Sequence, residues 1–146
     1  MKKYPMHIVT PKAAIFNKKN KLLIIKRNAS EIAFPNRWTI PGGKLQEGED
    51  VEKGLIREVK EEVNLDIEIL SPLNVFNFVR PDNISVVGVI YLCRSLNDKD
   101  TQVDGEEHVD FAWISEEDAE KYDFVNQDQL TSIFKVLKNK IHRLSD

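Results

Sequence analysis

Residues 43–65 read GKLQEGEDVEKGLIREVKEEVNL, and this stretch decides the fold. Asp50 carries a side chain suited to an N-cap, and Val51, Leu55, Val59 and Val63 recur at every fourth position, the spacing of one apolar helix face. The pattern predicts a helix from Asp50 to about Glu62 that lays this stripe on a sheet. Positions i, i+3 and i+4 stack on one side of a helix, so Glu58, Glu61 and Glu62 are expected to point the same way. Like charges at that spacing cost a few tenths of a kcal/mol per pair, on the order of the gain from an opposite pair. A divalent cation would offset that cost. Hard ions prefer carboxylate oxygens, and Mg²⁺ typically combines a few carboxylates with substrate phosphate. The competing reading is a solvated acidic helix surface, the ordinary fate of EE and KE runs.

The wider stretch fits the pattern G-x5-E-x7-R-E-U-x-E-E-x-G-U, where U is aliphatic. Gly43, Glu49, Arg57, Glu58, Val59, Glu61, Glu62 and Leu65 match it. Six fixed identities of this kind coincide by chance about once in 10⁷ placements at average residue usage. The stretch resembles the signature of the Nudix hydrolase family, MutT-like members included. One position departs, since Asn64 stands where the family has its second glycine. A residue just past a helix end often turns left-handed, and Asn is the usual substitute for Gly there, so the chemistry is left alone.

Outward from the helix, the chain has one compact α/β pattern over its 146 residues, read as a single domain, 1–146. HIVTPKAAIF and KLLIIKR are β-rich runs joined by NKKN, which suggests a hairpin. RNASEIAFPNRW reads as a loop leading to the short strand WTI, and Pro41-Gly42-Gly43 breaks regular structure. LDIEILSPLNVFNFV and NISVVGVIYLCRSL read as long strands joined by the turn RPDN. LNDKDTQVDGEE is a polar loop, HVDFAWIS a further strand, and SEEDAEKY and QDQLTSIFKVLKNKIHRL read as helices. The last carries Leu130, Phe134, Leu137 and Ile141 on one face. A mixed sheet between helices would bury these stripes together. The family resemblance implies the same α/β/α sandwich.

Composition excludes several classes. A formal net charge of −3 gives no electrostatic reason to bind a nucleic-acid polymer. The N-terminal residues lack an apolar region and cleavage site of a secretory signal, and no run approaches a membrane span. The single cysteine, Cys93, lies in an apolar strand-like run and reads as a buried inert thiol. A cytoplasmic location is expected. Gly54 weakens the helix by roughly 1 kcal/mol relative to Ala. Its missing side chain either leaves room beside Glu58 and Glu61 or is simply tolerated.

The resemblance implies chemistry residue by residue. The loop–helix–loop would hold Mg²⁺ or Mn²⁺ against a pyrophosphate, polarising phosphoryl oxygens and activating water with no covalent nucleophile. Glu61 and Glu62 are implied as metal ligands, and Glu58 as a ligand or as the carboxylate that orients and deprotonates water. Arg57 is expected to pair with a neighbouring carboxylate and fix its rotamer. Glu49 is a supporting acid near the metals or an acid at a helix N-terminus. A further ligand is expected before Trp113, where Glu107 fits the spacing and Glu106 adjoins it, against a solvated acidic loop. Gly42 and Gly43 allow the backbone to approach a ligand. Arg27 and Lys44 are candidates to contact phosphate, against ordinary surface roles. Trp38 reads as core packing beside the site or a base-stacking platform. His7, His108 and His142 show no ligand spacing and read as ordinary surface or core residues.

The family acts on nucleoside diphosphates linked to a further group, and two cues to that group diverge. Pro81, sixteen residues past the signature, is placed as in the family's ADP-ribose pyrophosphatases, although RPDN is also a natural turn. DFVNQDQL resembles the nucleoside triphosphate branch, in which an Asn near Asn126 reads a purine, although Asn at a helix start is also an N-cap. A nucleoside triphosphate pyrophosphohydrolase is the expectation. ADP-ribose or another nucleotide sugar is the alternative, and a non-catalytic nucleotide-binding regulator or an interaction module are the alternatives of another class. Relatives dimerise, which makes a homodimer compatible without any segment requiring one.

Overall fold

The apolar stripe along residues 51–63 forms α1 (Val51–Val63), with Leu55, Val59 and Val63 fully buried. Asp50 caps it, its side chain accepting the Lys53 N–H, and Asn64 ends it at φ 60° with its N–H donated to the Lys60 carbonyl. These features come from a computed structural model that describes residues 6–144, with side chains through residue 140. Ile141, expected on the apolar face of the last helix, and His142 therefore lie outside the described side chains.

The strands are β1 (His7–Phe16), β2 (Leu22–Arg27), β3 (Trp38–Thr39), β4 (Ile67–Val79), β5 (Ser85–Ser95) and β6 (His108–Ile114), and α2 (Gln127–Leu144) closes the chain. They form one six-stranded mixed sheet in the order β3-β2-β1-β5-β4, with β6 on the other edge of β2. β1 and β5 run parallel along the full length of β1, and the other strand pairs are antiparallel. The NKKN hairpin is locked by the Asn17 side chain, whose Oδ1 accepts the N–H groups of Lys19 and Lys21, and by Asn20 at φ 58°.

β1 and β2 pair only at Phe16 and Leu22 and then splay apart. The chain from Trp38 to Gly42 fills the opening. Thr39 and Trp38 pair with Ile25 and Lys26, while Ala13 donates its N–H to the Pro41 carbonyl at 2.8 Å and Lys12 bridges Gly42. The glycine turn is thereby stitched into the sheet next to α1. Gly42 takes φ 146°, and a Cβ there would strike the Pro11 carbonyl, so a close backbone approach and a glycine-favoring conformation coincide.

The two faces of the sheet carry separate apolar clusters. Ala13, Ile15, Leu23 and Ile25 pack with Leu55, Val59 and Val63 of α1. Ala14, Leu22, Ile24 and Ile90 pack with Leu130, Ile133, Phe134 and Leu137 of α2. Alternation along each strand sends neighbours to opposite faces, and this produces the three-layer sandwich expected from the sequence. SEEDAEKY differs from its expected form. It is a 3₁₀ segment (Glu116–Lys121) between extended residues Ser115 and Tyr122. Six residues give too few α-helical bonds to offset nucleation, and the i,i+3 pair of Lys121 with Asp118 suits the tighter turn. Cys93 is buried as expected, its thiol pushed up to about 12 by burial. No helix among the described residues is long and apolar enough to cross a membrane.

Candidate active site

The acids of α1 meet the glycine turn and the loop before β6. They do not share one environment. The Glu62 side chain is 6% exposed, that of Glu58 18% and that of Glu61 60%, so the helix face runs from the protein interior to solvent. Gly42 donates its N–H to Glu62 Oε1 at 3.2 Å. Gly43 lies flat against Glu58, and a Cβ on Gly43 would sit 2.5 Å from Glu58 Oε2. Both glycines therefore bring backbone onto carboxylates, which is how the turn and the helix are held together.

Arg57 organises the outer acids. Its Nε and Nη2 donate to the two oxygens of Glu49 at 2.7 and 2.9 Å, a bidentate pair, and its Nη1 donates to Glu58 and Glu61 at 3.1 Å each. One planar guanidinium thus fixes three carboxylates, which an ammonium could not do with the same geometry. Glu49 also accepts the Gln46 N–H at 2.9 Å, closing the loop in front of α1. The Arg57 hydrogen bonds, chiefly, hold the Glu49 carboxyl down at about 2. Gly54 makes room for this arrangement, because a Cβ there would meet Leu45 and come within 2.9 Å of Glu49 Oε1. The space is occupied by the side chains of Leu45 and Glu49.

Two residues at the inner end carry chemistry that sequence reading did not assign to the site. Lys12, on β1, is half-buried with its ammonium donating to the Ile40 carbonyl at 3.4 Å. Burial lowers its pKa, and the charges of Glu62 and Glu58 oppose that shift. Burial likewise raises the Glu62 carboxyl, while the Lys12 ammonium pulls it back. Each group favours the charged form of the other, against the burial that disfavours charge on both. The signal was visible, since Lys12 is a lone charge inside the apolar run PKAAIF. His108 is the second. It is 4% exposed, with Nδ1 at 3.6 Å from Glu62 Oε2 and 3.9 Å from Asp104 Oδ2. Burial lowers its pKa to about 4, so the imidazole is neutral near pH 7. Nothing in its sequence neighbourhood separates this role from an ordinary core histidine.

Glu107 sits just before β6, its carbonyl accepting the Asn28 N–H at 2.8 Å. Desolvation raises its pKa first, followed by the carboxylates of Glu31, Asp104 and Glu58. It therefore shares an electrostatic neighbourhood with the α1 acids despite a separation of about fifty residues in sequence. Glu106 instead uses its carbonyl to accept from Asn28 Nδ2. Arg27, at the end of β2, pulls the Glu107 pKa down. Its Nε donates to the Ala33 carbonyl at 2.8 Å and its Nη2 lies 3.6 Å from Glu31, so it also ties down the loop 28–37.

The remaining candidates make other contacts. Lys44 is exposed directly after the glycines. Asn126 caps α2, its Oδ1 accepting the Gln129 N–H at 3.0 Å. Trp38 packs edge-to-face on Tyr122 at 5.0 Å as part of the α2-side core. Pro81 is exposed in the β4–β5 turn, where Arg80 donates its N–H to the Ile84 carbonyl.

The family model described as NUDIX domain matches residues 6–133. The chain is 30% identical over 112 residues to nucleoside triphosphatase NudI of Escherichia coli O81 (strain ED1a), covering 69% of this chain and 77% of that protein. It is 36% identical over 62 residues to Nudix hydrolase 5 of Arabidopsis thaliana, covering 42% of this chain but only 20% of that longer protein. Among solved structures, the MutT protein from Methanosarcina mazei Go1 superposes with a TM-score of 0.78 at 20% identity, covering 95% of this chain and 99% of the other. That last likeness is one of fold.

Proposed function

We propose a nucleoside triphosphate as the substrate of this chain, which belongs to the Nudix hydrolase family and so acts on pyrophosphate bonds. The hydrolytic part of the reading is supported by Glu58 and Glu62 against the glycine turn, with Glu107 close enough for its charge to act on both and Arg57 holding Glu49, Glu58 and Glu61.

The donor set fits a hard divalent cation. Glu62 is a buried carboxylate with one backbone N–H and the Lys12 charge in its favour, against burial and the charges of Glu58 and Glu107. Such a group is incompletely compensated without further positive charge. Glu58, Glu61, Glu62 and Glu107 would hold Mg²⁺ or Mn²⁺. When bound, these ions would polarise phosphoryl oxygens and acidify water. The residues of the chain do the rest. Arg57 keeps the Glu58 and Glu61 carboxylates from rotating away. Glu58, pinned between Arg57 and Gly43, is placed to orient a water or to serve as a ligand. Arg27 and Lys44 offer positive charge to phosphate in a chain of negative net charge. Catalysis then rests on positioning and electrostatics.

For the choice of substrate, neither sequence cue decides. Asn126 is occupied as an N-cap and Pro81 as part of a turn, so both residues have structural explanations. The triphosphate reading rests on the resemblance to NudI, whose name states that activity and most of whose length is covered. A non-catalytic regulator would not need the complete set of acids that this chain retains.

Incubation with ribo- and deoxyribonucleoside triphosphates and with ADP-ribose, in Mg²⁺ or Mn²⁺, tests the reading by product identification. The expected result is a nucleoside monophosphate and pyrophosphate from at least one triphosphate. A kcat/KM for ADP-ribose at least about tenfold above every triphosphate, some 1.4 kcal/mol of transition-state preference, would replace the substrate. No turnover of any compound would favour the regulatory role.

A further inference from the structure

Asp104, Glu107 and His108 each offer one ligand atom, and the three atoms lie within 4.8 Å of one another. Acids on exposed loops often gather without consequence. The histidine sets this group apart. His108 is 4% exposed, and its Nδ1 is buried with no hydrogen-bond partner among the described residues. Buried polar atoms are nearly always satisfied, so an orphaned imidazole nitrogen calls for a ligand.

The distances point to the kind of ligand. Nδ1 stands 3.9 Å from Asp104 Oδ2 and 3.6 Å from Glu62 Oε2. Both are too long for hydrogen bonds. They approach the spacing of neighbouring donors around one ion, since ligands about 2.1 Å from a tetrahedral metal stand roughly 3.4 Å apart. Asp104 is already oriented for this role. Its Oδ1 accepts the N–H groups of Glu106 at 3.0 Å and His108 at 3.1 Å, which leaves Oδ2 as the oxygen that faces the ring. Hydrogen bonds of this type commonly hold metal-binding carboxylates in place.

We propose that Asp104, Glu107 and His108 form a transition-metal site beside the acids of α1, with His108 Nδ1 as its nitrogen ligand and Zn²⁺ as its occupant. Imidazole suits Zn²⁺ and its neighbours, while Mg²⁺ keeps to oxygen. The site adjoins the carboxylates proposed for hydrolysis and shares Glu107 with them. It does not depend on the substrate reading, because hard ions on carboxylates alone would suffice for that activity.

The test uses the full chain without nucleotide, titrated with Zn²⁺ by calorimetry and followed by ¹⁵N NMR of the histidine rings. Zn²⁺ is expected to bind at least about tenfold tighter than Mg²⁺, and the His108 ring nitrogens to shift as the site fills. Asp104→Asn is expected to weaken Zn²⁺ by about 10- to 100-fold, as loss of a ligand or of its support does. His108 ring signals unmoved at saturating Zn²⁺, or wild-type Zn²⁺ affinity in Asp104→Asn, would overturn the proposal. Both measurements avoid replacing the buried histidine, so a failure to fold cannot mask the answer. Mg²⁺-dependent turnover is read separately: its absence with Zn²⁺ binding intact would reject the proposed function and leave this site standing.

Discussion

At the scale of single residues, Arg57 and Glu49 show how one contact serves both stability and site geometry. The signature suggested that Arg57 pairs with a carboxylate, and the residue engages three, Glu49 bidentately. The pair has a pH signature. The Glu49 carboxyl titrates near 2 in the folded chain against an ordinary value of 4.5. Between those values the unfolded chain binds the extra proton, so stability rises with pH across this window. The contribution is fully present above about pH 4.5 and is lost as pH falls toward 2. Glu49→Gln is therefore expected to flatten the unfolding free energy against pH in that range, measured by urea denaturation at stepped pH. A slope equal to that of the wild type would show that the contact does not act in folding. The residues that escaped sequence reading, Lys12 and His108, escaped for one reason. Each reaches Glu62 from a strand remote from α1 along the chain, and no local spacing encodes such a meeting. Lys12 at least left a trace, as a charge in an apolar run, whereas His108 looked like any strand histidine.

At the scale of elements, local chemistry was legible wherever it closes on itself. Asp50 and Asn64 bound α1 because a cap and a left-handed terminus are decided by residues a few positions apart. The Asn17 hairpin follows the same logic. β3 is just two residues long because it exists to fill the gap between splayed β1 and β2, a demand set by the whole sheet. Asn64 allows a quantitative check. It holds φ 60° and its Nδ2 donates to the Asp100 carbonyl at 3.1 Å. Glycine would relieve the left-handed backbone but lose that bond, two effects of about 1 kcal/mol each and opposite sign. Asn64→Gly is accordingly expected to leave stability within about 1 kcal/mol of wild type, and Asn64→Ala to lose about 1–2 kcal/mol because it gains neither. Chemical denaturation of the two variants decides this, and an alanine variant as stable as the glycine one would contradict it.

At the scale of the whole molecule, the sheet separates the face that carries the candidate site from a supporting face. α1 covers the first with Leu55 at its centre, and α2 covers the second with Leu130. Both leucines are buried, so truncation of either to alanine is expected to cost about 2–5 kcal/mol. Their effects on rate should differ. Leu130→Ala leaves the acids in place and should keep kcat near wild type well below its melting temperature. Leu55→Ala loosens the helix that carries Glu58, Glu61 and Glu62, and displacements of about 1 Å can cost on the order of 100-fold in rate. Equal kcat values in the two folded variants would argue against the division. The three-layer architecture was readable from the stripes, because each stripe needs a cover. The gradient of burial from Glu62 to Glu61 was not, because it depends on where the glycine turn is stitched into the sheet. The most direct measurement is Mg²⁺-dependent nucleotide hydrolysis by Glu62→Gln, which keeps an oxygen to accept the Gly42 N–H while removing the charge. Turnover at least about 100-fold below wild type, with an unchanged fold by circular dichroism, is the expected result. Wild-type turnover in the folded variant would contradict a cation held by the acids of this helix.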